Sequence, residues 1–180
     1  MQINKKDRIP TIKQLIPTKS RSILDIGPGG LKNTIHEQMF NDVEFEEMLV
    51  IDIHQPNILE RKQKYIDDSR YTFINEDAFK YKFNKKYDTI TIIHVIEHFE
   101  EKKAIKLLNK LKKICTGKIL LETPDQFEDG AQVVAEEENI HQEHLFLADE
   151  KFMNENGFTR IFSYQQNHLY SNSFYSWEVK

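Results

Sequence analysis

The chain alternates between short runs rich in apolar and β-branched residues and longer stretches in which apolar residues recur every three or four positions. The runs Ser22-Ile23-Leu24-Asp25-Ile26, Met48-Leu49-Val50-Ile51 (within Glu46 to Ile53), Tyr71-Thr72-Phe73-Ile74, Asp88 to His94 and Lys118-Ile119-Leu120-Leu121 have strand length. Met48-Leu49-Val50-Ile51 is an uninterrupted apolar run, the pattern of a strand buried on both faces of a parallel sheet. Asp88 to His94, β-branched almost throughout, is expected to be the central strand. Between the runs a helical period returns. Ile9, Ile12, Leu15 and Ile16 suggest a short helix packed beside the sheet, and further helices are expected from about Leu31 to Phe40 and from Pro56 to about Tyr65. A helix from Glu101 to about Cys115 places Ala104, Leu108, Leu111 and Cys115 on one face, with Lys102, Lys103, Lys106, Lys110, Lys112 and Lys113 read as a solvated surface. Gly117 reads as the stop of that helix and Thr123-Pro124 as the end of the fifth strand. Asp149 caps a last helix to Asn156, closed by Gly157, before two strands, Phe158 to Gln165 and Ser173 to Val179, around a turn from Asn167 to Asn172. Strands alternating with helices predict an α/β fold built on a mostly parallel sheet with helices on both faces.

The first strand runs straight into Gly27-Pro28-Gly29-Gly30. Glycines there can take positive φ and let a ligand approach the backbone N–H groups. Asp52, ending the second strand 22 residues past Gly30, stands where a βαβ unit sets an acid against a ribose diol. Asp25 sharpens the reading. A carboxylate two residues before the loop would repel a pyrophosphate and suits a cationic ligand, and Lys32 breaks the third glycine of a dinucleotide loop.

Asp25-Ile26-Gly27-Pro28-Gly29-Gly30 resembles the Asp/Glu-x-Gly-x-Gly loop of class I S-adenosylmethionine (SAM)-dependent methyltransferases, and Val95-Ile96-Glu97-His98-Phe99 is similar to their segment after the fourth strand. The resemblance extends from about Ile9 to Val179. It implies a Rossmann-like, seven-stranded, mostly parallel sheet whose terminal strand returns antiparallel beside the fifth. It also implies SAM as cofactor and S-adenosylhomocysteine as product. By that resemblance the Gly27 backbone, with Gly29 in the same loop and water held by Asp25, binds the methionine ammonium. Asp52 takes the ribose hydroxyls, Ile53 packs on adenine, Asp77 with Ala78 reads the adenine edge, and His94 offers backbone contacts near the methionine. Read from the residues alone, Asp77 is equally a turn former.

A length of 180 residues suits one domain, taken as 1–180, with a helical lead-in over 1–21. A formal net charge of -4 gives no general reason for a polyanionic partner. Cys115 is the only cysteine, which fits a reducing compartment, and no stretch approaches a membrane span, so a cytoplasmic protein is expected with no membrane partner.

The segment from Asp125 to Phe146 carries seven acids and no Lys or Arg, and reads as a long active-site loop over the cofactor edge. It brings Asn139, His141 and His144 towards Glu97 and His98, so Glu97, His98 and His144 are the candidate catalytic residues. A histidine near neutral pH can take the proton of a hydroxyl acceptor. The expected acceptor is a small molecule, because the acids of the loop would repel phosphates and make nucleic acid an unfavourable partner; no metal is expected. Two alternatives stand beside this. His94-Val95-Ile96-Glu97-His98 and Glu143-His144-Leu145-Phe146 are similar to segments of metal-assisted RNA 2′-O-methyltransferases, with His94 in place of a Glu. A SAM-binding domain without catalysis is the other, since fold does not guarantee chemistry. Thr123-Pro124-Asp125-Gln126-Phe127 and the stretch from Asn139 to His144 resemble small prokaryotic and plant methyltransferases whose substrate is undefined.

Overall fold

The computed structural model describes residues 1–32, 35–127, 141, 143–166 and 170–179. Within them the apolar runs become β1 (Lys19–Ile26), β2 (Glu44–Asp52), β3 (Tyr71–Asn75), β4 (Tyr87–Ile93) and β5 (Cys115–Phe127), followed by β6 (Thr159–Gln165) and β7 (Tyr170–Glu178). The helices are α1 (Arg8–Leu15), α2 (Ile35–Phe40), α3 (Gln55–Lys64), α4 (Glu101–Ile114) and α5 (Glu150–Glu155). All seven strands form one sheet in the order β3-β2-β1-β4-β5-β7-β6. The first five pair in parallel, and β7 lies antiparallel between β5 and β6. A parallel neighbour cannot be reached by a tight turn, so the chain crosses over between these strands, through α2 after β1, α3 after β2 and α4 after β4.

The apolar runs are consecutive because alternate residues enter different cores. Leu24, Ile26, Leu49, Ile51, Ile119 and Leu121 pack with α4 on one face, while Ile23, Met48, Val50 and Leu120 pack with Ile12, Met39 and Ile58 on the other. On α4, Ala104, Leu107, Leu108 and Leu111 recur at helical spacing and are fully buried. Each of the three leucines contributes about 1.5–3 kcal/mol by leaving water. Two of the lysines read as solvated instead tie α4 to its neighbours. The Lys110 ammonium donates to the carbonyls of Ala78, Phe79 and Tyr81, and Lys112 donates to that of Asn156.

Several boundaries differ from the expectation, each for a tertiary reason. Cys115 and Gly117 belong to β5 and not to the end of α4. A Cβ on Gly117 would sit 2.3 Å from the backbone oxygen of Asp88, so glycine is there for close approach of β4 and β5, next to the register shift between Tyr87 and Thr89. Thr123-Pro124 does not end β5, which runs on to Phe127 against β7 with a shift between Pro124 and Gln126 that accommodates the missing N–H. The residues 125–127 assigned to the long loop are therefore strand. Leu31 and Lys32 form a turn and α2 begins at Ile35; residues 33 and 34 lie outside the described residues. Of the expected turn from Asn167 to Asn172, residues 170–172 are already in β7, and 167–169 lie outside the described residues.

The lead-in docks against the far edge of the sheet. Ile3 N–H donates to Ser163 O at 2.9 Å and Ser163 N–H to Met1 O at 2.8 Å, covering the outer edge of β6. Pro10 is tolerated in the first turn of α1, where its missing N–H would have had no helical partner. Arg8 reaches in to pair with Glu122 of β5. Among the described residues no helix is long and apolar enough to cross a membrane.

The crowding at Gly117 has a measurable consequence. Gly117→Ala should cost about 1–3 kcal/mol of stability, the usual range for overpacking, read as a lower urea midpoint at unchanged slope; an unaltered midpoint would mean that the Asp88 backbone yields freely.

Candidate active site

The carboxyl ends of β1 to β5 all open on one edge, and strand order reverses between β1 and β4. In open α/β sheets this is where the crevice forms. A cleft of about 760 Å³ lies there, within the usual range for small-ligand sites. The loops after β1 to β4 supply Gly27, Gly29, Asp52, Ile53, Asp77, Ala78, His94 and His98, and the later segments add His141, Glu143, His144, Gln166 and Asn172. Of the sequence-predicted site residues, all but Asp25 and Glu97 line it directly.

The glycine loop is braced from both sides. Gly27 (φ +64°) donates its N–H to Ile51 O at 2.8 Å, and a Cβ there would meet Val95 at 2.4 Å. Gly29 (φ +72°) donates to Asp52 Oδ2 at 3.2 Å. The guanidinium of Arg61, fully buried, gathers the loop carbonyls, donating to Gly29 O at 2.7 Å and Pro28 O at 3.1 Å, and it pairs with Glu37 at 2.8 Å. Sequence reading missed Arg61. Nothing local distinguishes it from the other basic residues of α3; only the distant loop does.

Asp25 is turned away from the cleft. One carboxylate oxygen pairs with His36 Nδ1 and the other accepts from Thr91 Oγ1. Burial disfavours its charge, but His36 outweighs that and holds the carboxyl below its ordinary range. The acid expected beside a ligand ammonium instead ties α2 and β4 to β1 beneath the loop. Asp52 does face the cleft. His54 N–H at 2.8 Å, Asn57 Nδ2 at 3.0 Å and Gly29 N–H fill three of its roughly four acceptor positions. Ile53, an apolar side chain 43% exposed at the cleft, offers a flat surface. Asp77 lines the cleft and also accepts from Phe79 N–H at 2.8 Å, so it forms the turn as well.

His94 leaves β4 in the left-handed region, with φ +53°, uncommon for a residue with a side chain. Its ring lies between two fully buried carboxylates, Nδ1 at 3.2 Å from Glu97 Oε1 and Nε2 at 3.0 Å from Glu122 Oε1. Burial opposes a charge on the ring, but hydrogen bonds to Glu122 and Glu97 prevail and raise its pKa to about 9. Both nitrogens then donate, the imidazolium form. The same contacts keep Glu97 and Glu122 below their ordinary values against burial. Glu122 also takes Arg8 Nε at 2.9 Å and the Tyr164 hydroxyl at 2.6 Å, and Asn172 Nδ2 donates to that hydroxyl at 2.9 Å. A chain of polar contacts thus runs from α1 to the cleft floor. Sequence reading missed Glu122, whose one local signal is an acid interrupting an otherwise apolar strand.

Glu97, inside a 3₁₀ turn over Ile96–His98, sits just behind the cleft wall. Leu145 N–H donates to Glu97 O at 2.8 Å and His98 Nδ1 to Glu143 O at 3.0 Å, which fastens the segment carrying His144 to this turn. The rings of His98 and His144 lie 5.0 Å apart, and burial lowers the His144 pKa, favouring the neutral ring. One donor atom each from Glu97, His98 and His144 falls within 4.8 Å of the others. Of the other groups expected near the acceptor, His141 lines the cleft. Asn139, Glu128, Asp129, Glu136, Glu137 and Glu138 lie outside the described residues, so among the loop's acids only Glu143 is seen at the cleft.

A family model described as a methyltransferase domain matches residues 4–176. No curated protein matches the sequence. Among solved structures, the chain is similar to the N-methyltransferase NodS from Bradyrhizobium japonicum WM9, with a TM-score of 0.69 at 13% identity, covering 97% of this chain and 95% of that one. It is also similar to magnesium protoporphyrin IX methyltransferase (ChlM) from Synechocystis PCC 6803 with bound SAM, with a TM-score of 0.64 at 16% identity, covering 97% of this chain and 77% of that one. NodS is known in complex with S-adenosylhomocysteine as well. With the family model spanning nearly its whole length and the sheet order above, the chain belongs to the methyltransferase domain family and is a class I SAM-dependent methyltransferase.

Proposed function

We propose that SAM lies across the ends of β1, β2 and β3 and passes its methyl group to a small-molecule acceptor that enters beside His98 and His144. The observation that carries this reading is that Gly27, Gly29, Asp52, Asp77, His94, His98 and His144 line one continuous cleft. In it the loop of Gly27 and Gly29 lets the methionine part lie close to backbone, Asp52 accepts from the ribose, Ile53 covers one face of the adenine, and Asp77 with Ala78 meets its edge. His94 stands beneath the methionine end. Asp25, committed to His36 and Thr91, acts by holding the loop from below.

Methyl transfer is an in-line displacement. A lone pair of the acceptor forms the new bond to the methyl carbon as the sulfur–carbon bond breaks and its electrons return to sulfur, giving S-adenosylhomocysteine. The sulfonium supplies the driving force, so the protein contributes mainly proximity and alignment, with reacting atoms held about 3–3.5 Å apart. An acceptor hydroxyl or ammonium must also lose a proton. His98 and His144 are polar groups that line that end of the cleft, with Glu97 just behind its wall, and the two rings hold the acceptor in line and lower the cost of that loss. The small-molecule reading is supported by the size of the cleft and by the fold shared with magnesium protoporphyrin IX methyltransferase, whose name gives a small-molecule acceptor.

Two outcomes test this. Asp52→Ala should weaken S-adenosylhomocysteine at least about tenfold by calorimetry, the worth of one charge-assisted hydrogen bond at roughly 1.5–3 kcal/mol; an unchanged affinity would remove Asp52 from the ribose. His144→Ala should leave that affinity within about threefold while turnover of an acceptor found by screening a metabolite pool with labelled SAM falls by ~10² to 10⁴. Equal loss of thermal stability, cofactor affinity and turnover would make His144 a packing residue instead.

A further inference from the structure

We propose that Lys110 is a positioning residue for the adenine of SAM: from α4, behind the cleft wall, it sets the shape of the loop in which Asp77 and Ala78 meet the adenine edge. This deepens the reading above and rests on it for the place of the adenine.

The connection from β3 to β4, residues 76–86, contains neither helix nor strand, unlike the crossovers through α2, α3 and α4. Its carbonyls have no ladder of their own to join, and a buried carbonyl left without a partner is costly. The partner comes from α4. The Lys110 ammonium donates to Phe79 O at 2.9 Å, to Ala78 O at 3.1 Å and to Tyr81 O. An ammonium has three donors, so this one loop fills its capacity. The same group lies 4.9 Å from the centre of the Phe83 ring, a cation–π contact with the loop's far end. Burial lowers its pKa, and Asp77 and Glu76 at the start of the loop oppose that shift. Ala78, Phe79, Tyr81 and Phe83 pack against the core. Apolar packing is non-directional, however, and leaves the direction of the peptide groups to the lysine.

Two peptide units link Lys110 to Asp77. The unit between Ala78 and Phe79 gives its carbonyl to Lys110 and its N–H to Asp77 Oδ1 at 2.8 Å. The unit between Phe79 and Lys80 gives its carbonyl to Lys110 and its N–H to Asp77 O at 2.9 Å. A peptide plane is rigid, and hydrogen bonds in a chain polarise one another, so the ammonium at one end fixes the carboxylate at the other. With Oδ1 held in this way, Oδ2 is the oxygen of Asp77 left for the adenine amino group. The Asp77 carbonyl also accepts from Tyr81 N–H at 2.9 Å, which turns the Ala78 N–H, on the other side of that trans peptide, away from the turn; Ala78 lines the cleft. An acceptor oxygen beside an N–H donor complements the amino group and ring nitrogen of adenine. Arg61 treats the glycine loop alike from α3, at Pro28 O and Gly29 O.

The test compares the full chain with Lys110→Met, which keeps the apolar stem, and with Lys112→Met, which removes a lysine of the same helix that donates to Asn156 O, outside the cleft. Calorimetry well below each melting temperature measures two probes, S-adenosylhomocysteine and S-inosylhomocysteine, whose 6-oxo group and N1–H reverse the donor and acceptor of adenine. The wild type should prefer the adenosyl probe at least about tenfold, as expected for one mismatched hydrogen bond to a charged group. In Lys110→Met, S-adenosylhomocysteine should weaken at least about tenfold and the preference should shrink to within about threefold, while Lys112→Met keeps both. Lys110→Gln, too short to reach the three carbonyls, serves if the methionine variant fails to fold. A lower melting temperature in Lys110→Met with the wild-type preference intact, or an equal loss of preference in Lys112→Met, would overturn the proposal and make Lys110 a structural lysine. A wild type that binds both probes alike would take Asp77 and Ala78 off the adenine edge, and the proposal with them.

Discussion

A parallel strand cannot hydrogen-bond to the next one in sequence until the chain has been carried back to its starting end, and every such return leaves the loops that follow the strands on the same edge. That constraint governs the molecule. Five strands in parallel register bring Gly27, Asp52, Asp77, His94 and Pro124 to one side of the sheet from points spread over about half the sequence. Reversal of strand order between β1 and β4 separates the loops enough to leave a cleft. The apolar cores above and below the sheet supply most of the stability, and the polar edge is what that stability supports.

Two buried ionic assemblies hold the edge in shape. Beneath the glycine loop, the buried Asp25 carboxylate contacts His36 and Thr91, and the buried Arg61 guanidinium pairs with Glu37, so neither charge is buried without a partner. Beneath the acceptor end, Arg8, Glu122, His94 and Glu97 alternate in sign, and Tyr164 and Thr123 satisfy remaining oxygens. Paired in this way, carboxylates stay ionised at full burial, and removing any one member would strand its neighbour. The left-handed backbone at His94 fits the same account. An uncommon conformation persists where the surroundings over-determine it, and such positions gather at functional sites.

The lead-in is part of this edge and not a detached preface. Arg8 is the one contributor to the Glu122 group that comes from before the first strand, and residues 1–3 pair with β6. Docking of α1 therefore contributes directly to the cleft floor through the Arg8–Glu122 pair. A charge on the N-terminal helix completes a carboxylate cluster whose far end supports the groups facing the acceptor.

The sequence by itself determined the alternation of strands and helices, the two-sided burial of the runs and the glycine loop, because these are local matters of period, β-branching and backbone freedom. It also singled out Asp52, Asp77, His98 and His144, since position at a strand end or in a polar segment is visible in one dimension. The tertiary structure decided what depends on residues far apart in the chain. Gly117 looks like a helix stop until Asp88 is seen against it, and Pro124 looks like a strand stop until β7 pairs across a register shift. Asp25 looks like a ligand to the cofactor until His36 turns it inward. Arg61 and Glu122 carry no local mark at all, because their significance lies in carbonyls and charges tens to more than a hundred residues away, which only the folded chain brings within hydrogen-bonding distance.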